Sequence, residues 1–294
     1  MEPSLEEIFG SYMSWKLDNQ TWIINFMNGT ENMYLLEGDE KALLIDTGYG
    51  VGNLRAYVEN LTDKPILVAN THYHPDHAAG NGEFEQVYMS KGAELDKASV
   101  ENPGMVPFDI TKLPHANYEK IYIGEGDTIE LGNRTIEILD VKPAHCNSSL
   151  FFLDRSHRMF FCGDDMEAAQ GNLFDNSHNP DINYDLLNRF LVLCEHNNYD
   201  LKTIFDNFLE NTERILSLSN EFDYLLPNHN GTPIAKSYLN DYIDLIHAIY
   251  NKEVEPDEKL NHRYIEMDPQ ASKLCRVRGK NGSIITYREQ LRNL

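Results

Sequence analysis

Residues 65–70 (PILVAN) form an apolar run with no polar alternation, and they lead straight into a loop, residues 70–80 (NTHYHPDHAAG). A strand without a polar face is covered on both sides, so this one belongs inside a layered fold rather than at a wetted surface. The loop places His72, His74, Asp76 and His77 within six residues of one another. Alternation sends His72 and His74 to the same side, and the turn at Pro75 swings Asp76 and His77 toward a neighbouring position. Neutral imidazole and carboxylate are the ligands preferred by borderline divalent metals such as Zn²⁺. The bland alternative is a polar loop that happens to be rich in histidine. With 11 histidines in the whole chain, three in six positions beside an aspartate make that a poor account.

The rest of the first half reads as short strands. Residues 21–27, 33–38 and 41–46 are β-rich and separated by Asn-Gly and Gly-Asp turn signals. Residues 51–61 have helical spacing. Residues 127–141 read as a hairpin turning at Gly132-Asn133, and residues 149–162 as a second. After Asp165, residues 184–196, 201–218 and 237–252 have helical periodicity, and residues 273–287 read as a terminal hairpin turning at 279–282. Two strand ends look alike, LLIDTG around Asp46 and FFCGDD around Asp164. Each delivers an acid to a loop, which hints at two similar halves.

The 294 residues fit one large domain or two small ones, and 41% hydrophobic residues suffices for a core. With 25 basic and 47 acidic side chains the net charge is −22, which argues against nucleic-acid binding across the surface. No uncharged apolar run approaches a bilayer span, so no membrane association is expected. The opening MEPSLEEIFGSYMSWKLD lacks an apolar signal region. Cys146, Cys162, Cys194 and Cys275 form no CxxC pair, as expected of reduced thiols. The expectation is an acidic, cytoplasmic globular protein with a small-molecule substrate.

His72-Tyr73-His74-Pro75-Asp76-His77 matches the pattern HxHxDH in full, and by it the sequence resembles the metallo-β-lactamase superfamily. The resemblance implies an α+β fold, an αββα four-layer sandwich of two similar halves with a binuclear metal site on the edge where the sheets meet. It covers about residues 21–231. The expected organisation is a metallo-β-lactamase-like domain over 1–235, with a helical insertion after Asp165 at about 183–219. A C-terminal extension over 236–294, helix plus hairpin, would pack on it. The hairpin either covers the active site or makes a homodimer contact, and the sequence does not choose.

The same resemblance supplies the remaining ligands in chain order. Lys142-Pro143-Ala144-His145 looks like the third histidine. Ala144 stands where glycine is usual, and Cys146-Asn147-Ser148-Ser149 where Thr-Pro-Gly often follows. Gly163-Asp164 looks like the bridging acid, in preference to Asp165. Leu225-Leu226-Pro227-Asn228-His229 looks like the final histidine, with Asn228 in place of glycine. His72, His74 and His145 would hold one metal and Asp76, His77 and His229 the second, with Asp164 and a water bridging. Asp46 either supports the site from behind the ligands or is a simple turn acid. His115, His157, His178, His196, His247 and His262 keep a structural reading, as does Cys162. Cys146, beside His145, is the one cysteine that could act as a thiolate.

Two divalent ions, Zn²⁺ first and Fe or Mn as alternatives, would lower the pKa of a bridging water, with Asp76 as ligand and catalytic hydrogen-bond acceptor. The implied function is a metal-dependent hydrolase of a small ester, lactone or thioester. The alternatives are a small-substrate phosphodiesterase, an iron-binding oxygenase-type protein, or a metal-binding protein without turnover. Several subclasses fit poorly. A secreted β-lactamase carries an export signal, and RNA-processing members need a basic face. Flavodiiron members carry an acid in place of His74 and a fused flavin domain. Quorum-quenching lactonases place tyrosine where Glu167 stands. Thioesterases of the glyoxalase II kind use basic C-terminal residues, which Arg276, Arg278 and Lys280 only loosely match.

Overall fold

The structure, a computed structural model, describes residues 11–26, 31–96, 117–167, 171–173, 201–229, 231–256, 274–281 and 283–288. The helical expectation for 184–196, together with His115, His178, His196, His262 and Cys194, lies outside them.

The first sheet has seven strands in sequence order: β1 Met13–Asp18, β2 Thr21–Phe26, β3 Glu31–Glu37, β4 Ala42–Ile45, β5 Ile66–Ala69, β6 Gln86–Met89 and β7 Glu119–Tyr122. β1 to β4 form an antiparallel meander, and β5 to β7 continue it in parallel. The second sheet is built the same way. β8 Thr128–Glu130, β9 Thr135–Asp140, β10 Leu150–Asp154 and β11 Met159–Gly163 form an antiparallel meander, and β13 Tyr224–Pro227 joins β11 in parallel. Thus β4 and β11, the two strands that end on the similar sequences, are each the fourth of a meander and each pair with a parallel fifth strand. The short β12 Gly171–Leu173 joins β14 Leu274–Arg278 and β15 Ile284–Arg288 in a third, three-stranded sheet.

The central strands β2, β3, β4, β10 and β11 are buried almost throughout because both of their faces are covered. In β3, Tyr34 and Leu36 join Phe152, Phe161 and Leu226 in a cluster between the sheets. Met33 and Leu35 point the other way, toward Leu54 and Val58 of helix α1 (Leu54–Glu59). β11 alternates likewise. Met159 and Phe161 face the first sheet, while Phe160 and Cys162 face Ile204, Phe205 and Phe208 of α3 (Leu201–Ser217) and Leu245 and Ile246 of α4 (Ser237–Tyr250). The order helix, sheet, sheet, helix is the αββα sandwich. Each fully buried side chain of this size contributes about 1.5–3 kcal/mol, so the two covered faces per sheet are a large share of the folding drive. No helix among the described residues is long and apolar enough to cross a membrane.

Arg134 locks the two sheets together and is 1% exposed. Its Nε donates to Asp154 Oδ2 at 2.6 Å, Nη1 to the carbonyls of Gln20 and Glu37, and Nη2 to Thr21 Oγ1 at 2.9 Å. Tyr34 ties the other end, its hydroxyl meeting Pro227 O and Thr232 Oγ1. Asp241 of α4 accepts hydrogen bonds from Asn281 N and Ser283, which fastens the terminal hairpin's turn to that helix.

Candidate metal centre

Strands β4, β5, β9, β11 and β13 all run toward one edge of the sandwich, and the loops that leave them carry Asp46, residues 72–77, His145, Asp164 and His229. Pro75 opens helix α2 (Pro75–Ala78), where its missing N–H costs nothing, and this one turn brings Asp76 and His77 round beside His72. Gly163 has φ 55°, and a Cβ there would stand 3.1 Å from Thr71 Cβ, so glycine eases the turn by which β11 brings Asp164 inward.

All seven residues expected as ligands converge. His72, His74 and His145 present ligand atoms within 4.8 Å of one another, and so do Asp76, His77, Asp164 and His229. Asp164 Oδ2 lies between the groups, 3.8 Å from His72 Nε2, 3.3 Å from His77 Nε2, 3.7 Å from His145 Nε2 and 3.2 Å from His229 Nε2. His229 Nε2 is 3.1 Å from Asp76 Oδ2, and His145 Nε2 faces His74 Nδ1 at 3.1 Å. His77 Nε2 likewise faces His229 Nε2 at 3.2 Å. Two atoms bound to one tetrahedral zinc at 2.0–2.1 Å are about 3.3 Å apart, which is the spacing these nitrogens and oxygens keep.

The donor set fits a divalent metal on two further counts. His72 Nε2 and Asp164 Oδ1 are buried without a hydrogen-bond partner, and buried polar atoms of native proteins normally have one. The charges also ask for cations. Burial opposes ionisation of Asp76, and the charges and hydrogen bonds of His77 and His229 overcome it, holding the carboxyl well below the usual range. Asp164 is held low in the same way by His229 and His77. Those two imidazoles are in turn pushed well up against burial, chiefly by Asp164. A dication is the other charge that neutralises such a pair of carboxylates. His72, His74 and His145 are pushed down by burial and by neighbouring histidines, which leaves them as the neutral imidazoles a metal requires.

Asp46 stands behind this arrangement, fully buried at φ 64°. Its Oδ1 accepts Thr71 N at 2.7 Å. Its Oδ2 accepts Thr71 Oγ1 at 2.6 Å, Asn228 Nδ2 at 2.7 Å and His77 Nδ1 at 3.0 Å. With its hydroxyl proton directed at Asp46, Thr71 Oγ1 accepts from His72 Nδ1 at 3.0 Å. Both rings are thereby oriented with Nε2 toward Asp164. Asp46 thus bonds both the residue before His72 and the ring of His77.

The floor of the site is closed and its rim open. His72, His77 and Asp164 side chains are 1%, 0% and 6% exposed, whereas His229, His145 and Asp76 are 20%, 16% and 15% exposed. Cys146 is buried, burial pushes its thiol well up, and its Sγ lies against the Ser148 and Ser149 hydroxyls. His157 bonds Asp18 far from this edge, and His247 is exposed on α4. Glu31 was invisible to sequence reasoning. It is 1% exposed, neither carboxyl oxygen has a partner, and its backbone bridges that of His229. Burial, and then the nearby Asp76 charge, push its carboxyl well up.

A family model described as the metallo-beta-lactamase superfamily matches residues 28–187, more than half of the chain. The chain belongs to the metallo-beta-lactamase superfamily. Its relatives include the acyl-coenzyme A thioesterase MBLAC2 of Gallus gallus, 24% identical over 188 residues that cover 56% of this chain and 65% of that protein. The hydroxyacylglutathione hydrolase of Erythrobacter litoralis is 29% identical over 125 residues, covering 42% of this chain and 43% of that one. The chain thus spans less than two thirds of the length of these curated relatives. Among solved structures, a metallo-beta-lactamase from Pontibacter korlensis superposes with a TM-score of 0.56 at 15% identity, over 81% of this chain and 99% of that one. The sec-alkylsulfatase Pisa1 from Pseudomonas sp. superposes with a TM-score of 0.58, also at 15% identity, over 84% of this chain and 43% of its own. At these identities the likeness is one of fold.

Proposed function

We propose that this superfamily member is a metal-dependent hydrolase of small thioesters. One metal would be held by His72, His74 and His145, a second by Asp76, His77 and His229, and Asp164 would be shared. The observation that carries this reading is the position of Asp164 Oδ2, within 3.8 Å of the Nε2 atoms of four histidines drawn from both groups. When bound, two such ions, Zn²⁺ first and Fe or Mn as alternatives, would supply an activated water and a polarised carbonyl. Asp76, on the open rim, accepts a hydrogen bond from the attacking water and points it toward the substrate. Asp46 and Thr71 hold His77 and His72 in the required tautomers, and the closed floor under His72, His77 and Asp164 excludes bulk water. Substrate approaches across His145, His229 and Asp76.

Thioester chemistry asks least of such a site. A thiolate leaves without a proton donor because the pKa of a thiol is about 8.5, whereas an alkoxide or amine does not. Apart from the buried Glu31, the side chains converging here are taken up as candidate ligands or as their supports, and the thioester activities in the names of two relatives point the same way. The test is a panel of acyl-coenzyme A, hydroxyacylglutathione, lactone, phosphodiester and β-lactam substrates on metal-replete protein, with thiol release followed by Ellman chemistry. Thiol release that chelation abolishes is expected. Turnover confined to phosphodiesters or β-lactams, or none despite bound metal, would overturn the proposal.

A further inference from the structure

The segment that follows His145, Cys146-Asn147-Ser148-Ser149, departs from the superfamily pattern, and the structure gives it a job. Ser148 Oγ accepts the backbone N–H of Tyr73, the residue between His72 and His74, at 2.8 Å. Ser148 also bonds Asp96, whose Oδ1 takes Asn147 Nδ2 at 2.7 Å. Ser149 Oγ bonds Asp165, which in addition accepts the backbone N–H of His145. Cys146 Sγ sits between the two hydroxyls, 3.4 Å from Ser148 Oγ and 3.3 Å from Ser149 Oγ. Ser148, Ser149, Asp96 and Asp165 are all buried. This network lies behind the ligands and joins the His72–His74 loop, the His145 loop and the turn after Asp164. Tyr73 N and the His145 backbone are the atoms it grips.

We infer that Ser148 and Ser149 are positioning residues that set the separation of His145 from His74, and so fix the affinity of the three-histidine group for its metal independently of the second group. The inference rests on the metal assignment proposed above. Without the Ser148 hydroxyl, Tyr73 N loses its buried acceptor and the two histidine loops lose one tie beside that of Leu150 N to Thr71 O; without that of Ser149, Asp165 loses one of the two groups that anchor it beside His145. Partners behind metal ligands typically change affinity by about 10- to 100-fold when removed.

The experiment titrates Zn²⁺ into metal-free full-length protein against a chromophoric chelator, with thermal unfolding measured alongside. Ser148→Ala and Ser149→Ala are compared with Thr212→Ala, which removes a buried hydroxyl bonded to Phe208 O in α3, outside the network. The wild type and Thr212→Ala are expected to bind two equivalents alike. Each serine variant is expected to keep one tight equivalent and to bind the other about tenfold or more weakly. If Ser148→Ala does not fold, Ser149→Ala carries the test. Serine variants that lose thermal stability yet bind both equivalents as Thr212→Ala does would overturn the inference and leave the proposed function standing. A wild type that binds no zinc would overturn both.

Discussion

Asn228 Nδ2 donates to Asp46 Oδ2 at 2.7 Å, a bond from the end of a strand in the second sheet to the end of a strand in the first. It also donates to Asn32 O at 2.9 Å. The side chain that replaces the expected glycine before His229 therefore braces the acid that orients His77. Asn228→Gly is expected to cost about 1–3 kcal/mol, the range for leaving a buried polar partner unsatisfied. It should also weaken metal binding about tenfold or more. Urea unfolding and metal competition on the same preparations measure both, and an unchanged metal affinity would remove Asn228 from the support of the site.

Purified protein is expected to carry about two divalent ions per chain. His72→Ala combined with Asp164→Ala should lose them, because it takes one donor from the three-histidine group and the donor shared by both. Elemental analysis after desalting reads this directly. Full metal content in the double variant would refute the assignment. Chelation of the wild type should lower its melting temperature, since an ion present at about 1,000 times its Kd stabilises by roughly 4 kcal/mol.

Arg134 and Asp154 form a buried pair at 2.6 Å with both side chains inaccessible. Truncating one partner strands the other charge in the core, so Arg134→Ala is expected to destabilise by about 3–5 kcal/mol. It should leave the metal stoichiometry of the folded fraction unchanged, because the pair lies away from the ligand loops. Denaturant titration with metal analysis separates the two effects.

Acid stability should depend in part on Asp18. Burial opposes its ionisation, but the hydrogen bond from His157 Nδ1, at 2.7 Å, and that from Gln20 N prevail and hold the carboxyl below the ordinary aspartate range. A carboxyl depressed in the folded state stabilises at pH above its unfolded pKa. That contribution fades as pH falls through the folded value. Asp18→Asn should therefore be less stable than wild type near pH 6, with the difference shrinking below about pH 4. The Asp18 side chain is still 32% exposed, so solvent screening keeps the effect small. A difference that grows toward low pH would contradict this.

The first four candidate ligands were legible because they are contiguous. One strand and one proline turn suffice to aim His72, His74, Asp76 and His77, and both are local. His145, Asp164 and His229 were found only by likeness to a family pattern, since nothing local distinguishes His145 from the exposed His247. The sandwich itself was partly hidden by its own burial. Phe151 and Phe152 face opposite layers, so β10 carries no period-two polar signal to orient it. The three-residue β12 exists through its pairing with β15, more than a hundred residues away. Glu31 and Ser148 were illegible for a related reason: whether a polar side chain is buried beside a ligand is settled by tertiary packing, not by its neighbours in sequence.

The meander repeated in the two sheets has a consequence for the order of events. Four of the candidate donors hang from the first sheet and three from the second, so neither half, folded alone, offers a complete pocket. The shared edge comes into being only once the sheets have stacked, and a slip of β11 by one residue against β10 would turn Asp164 away from His77. Any ion that the edge captures then acts as a late latch on the docking of the halves, and its residence reports how well the two fit.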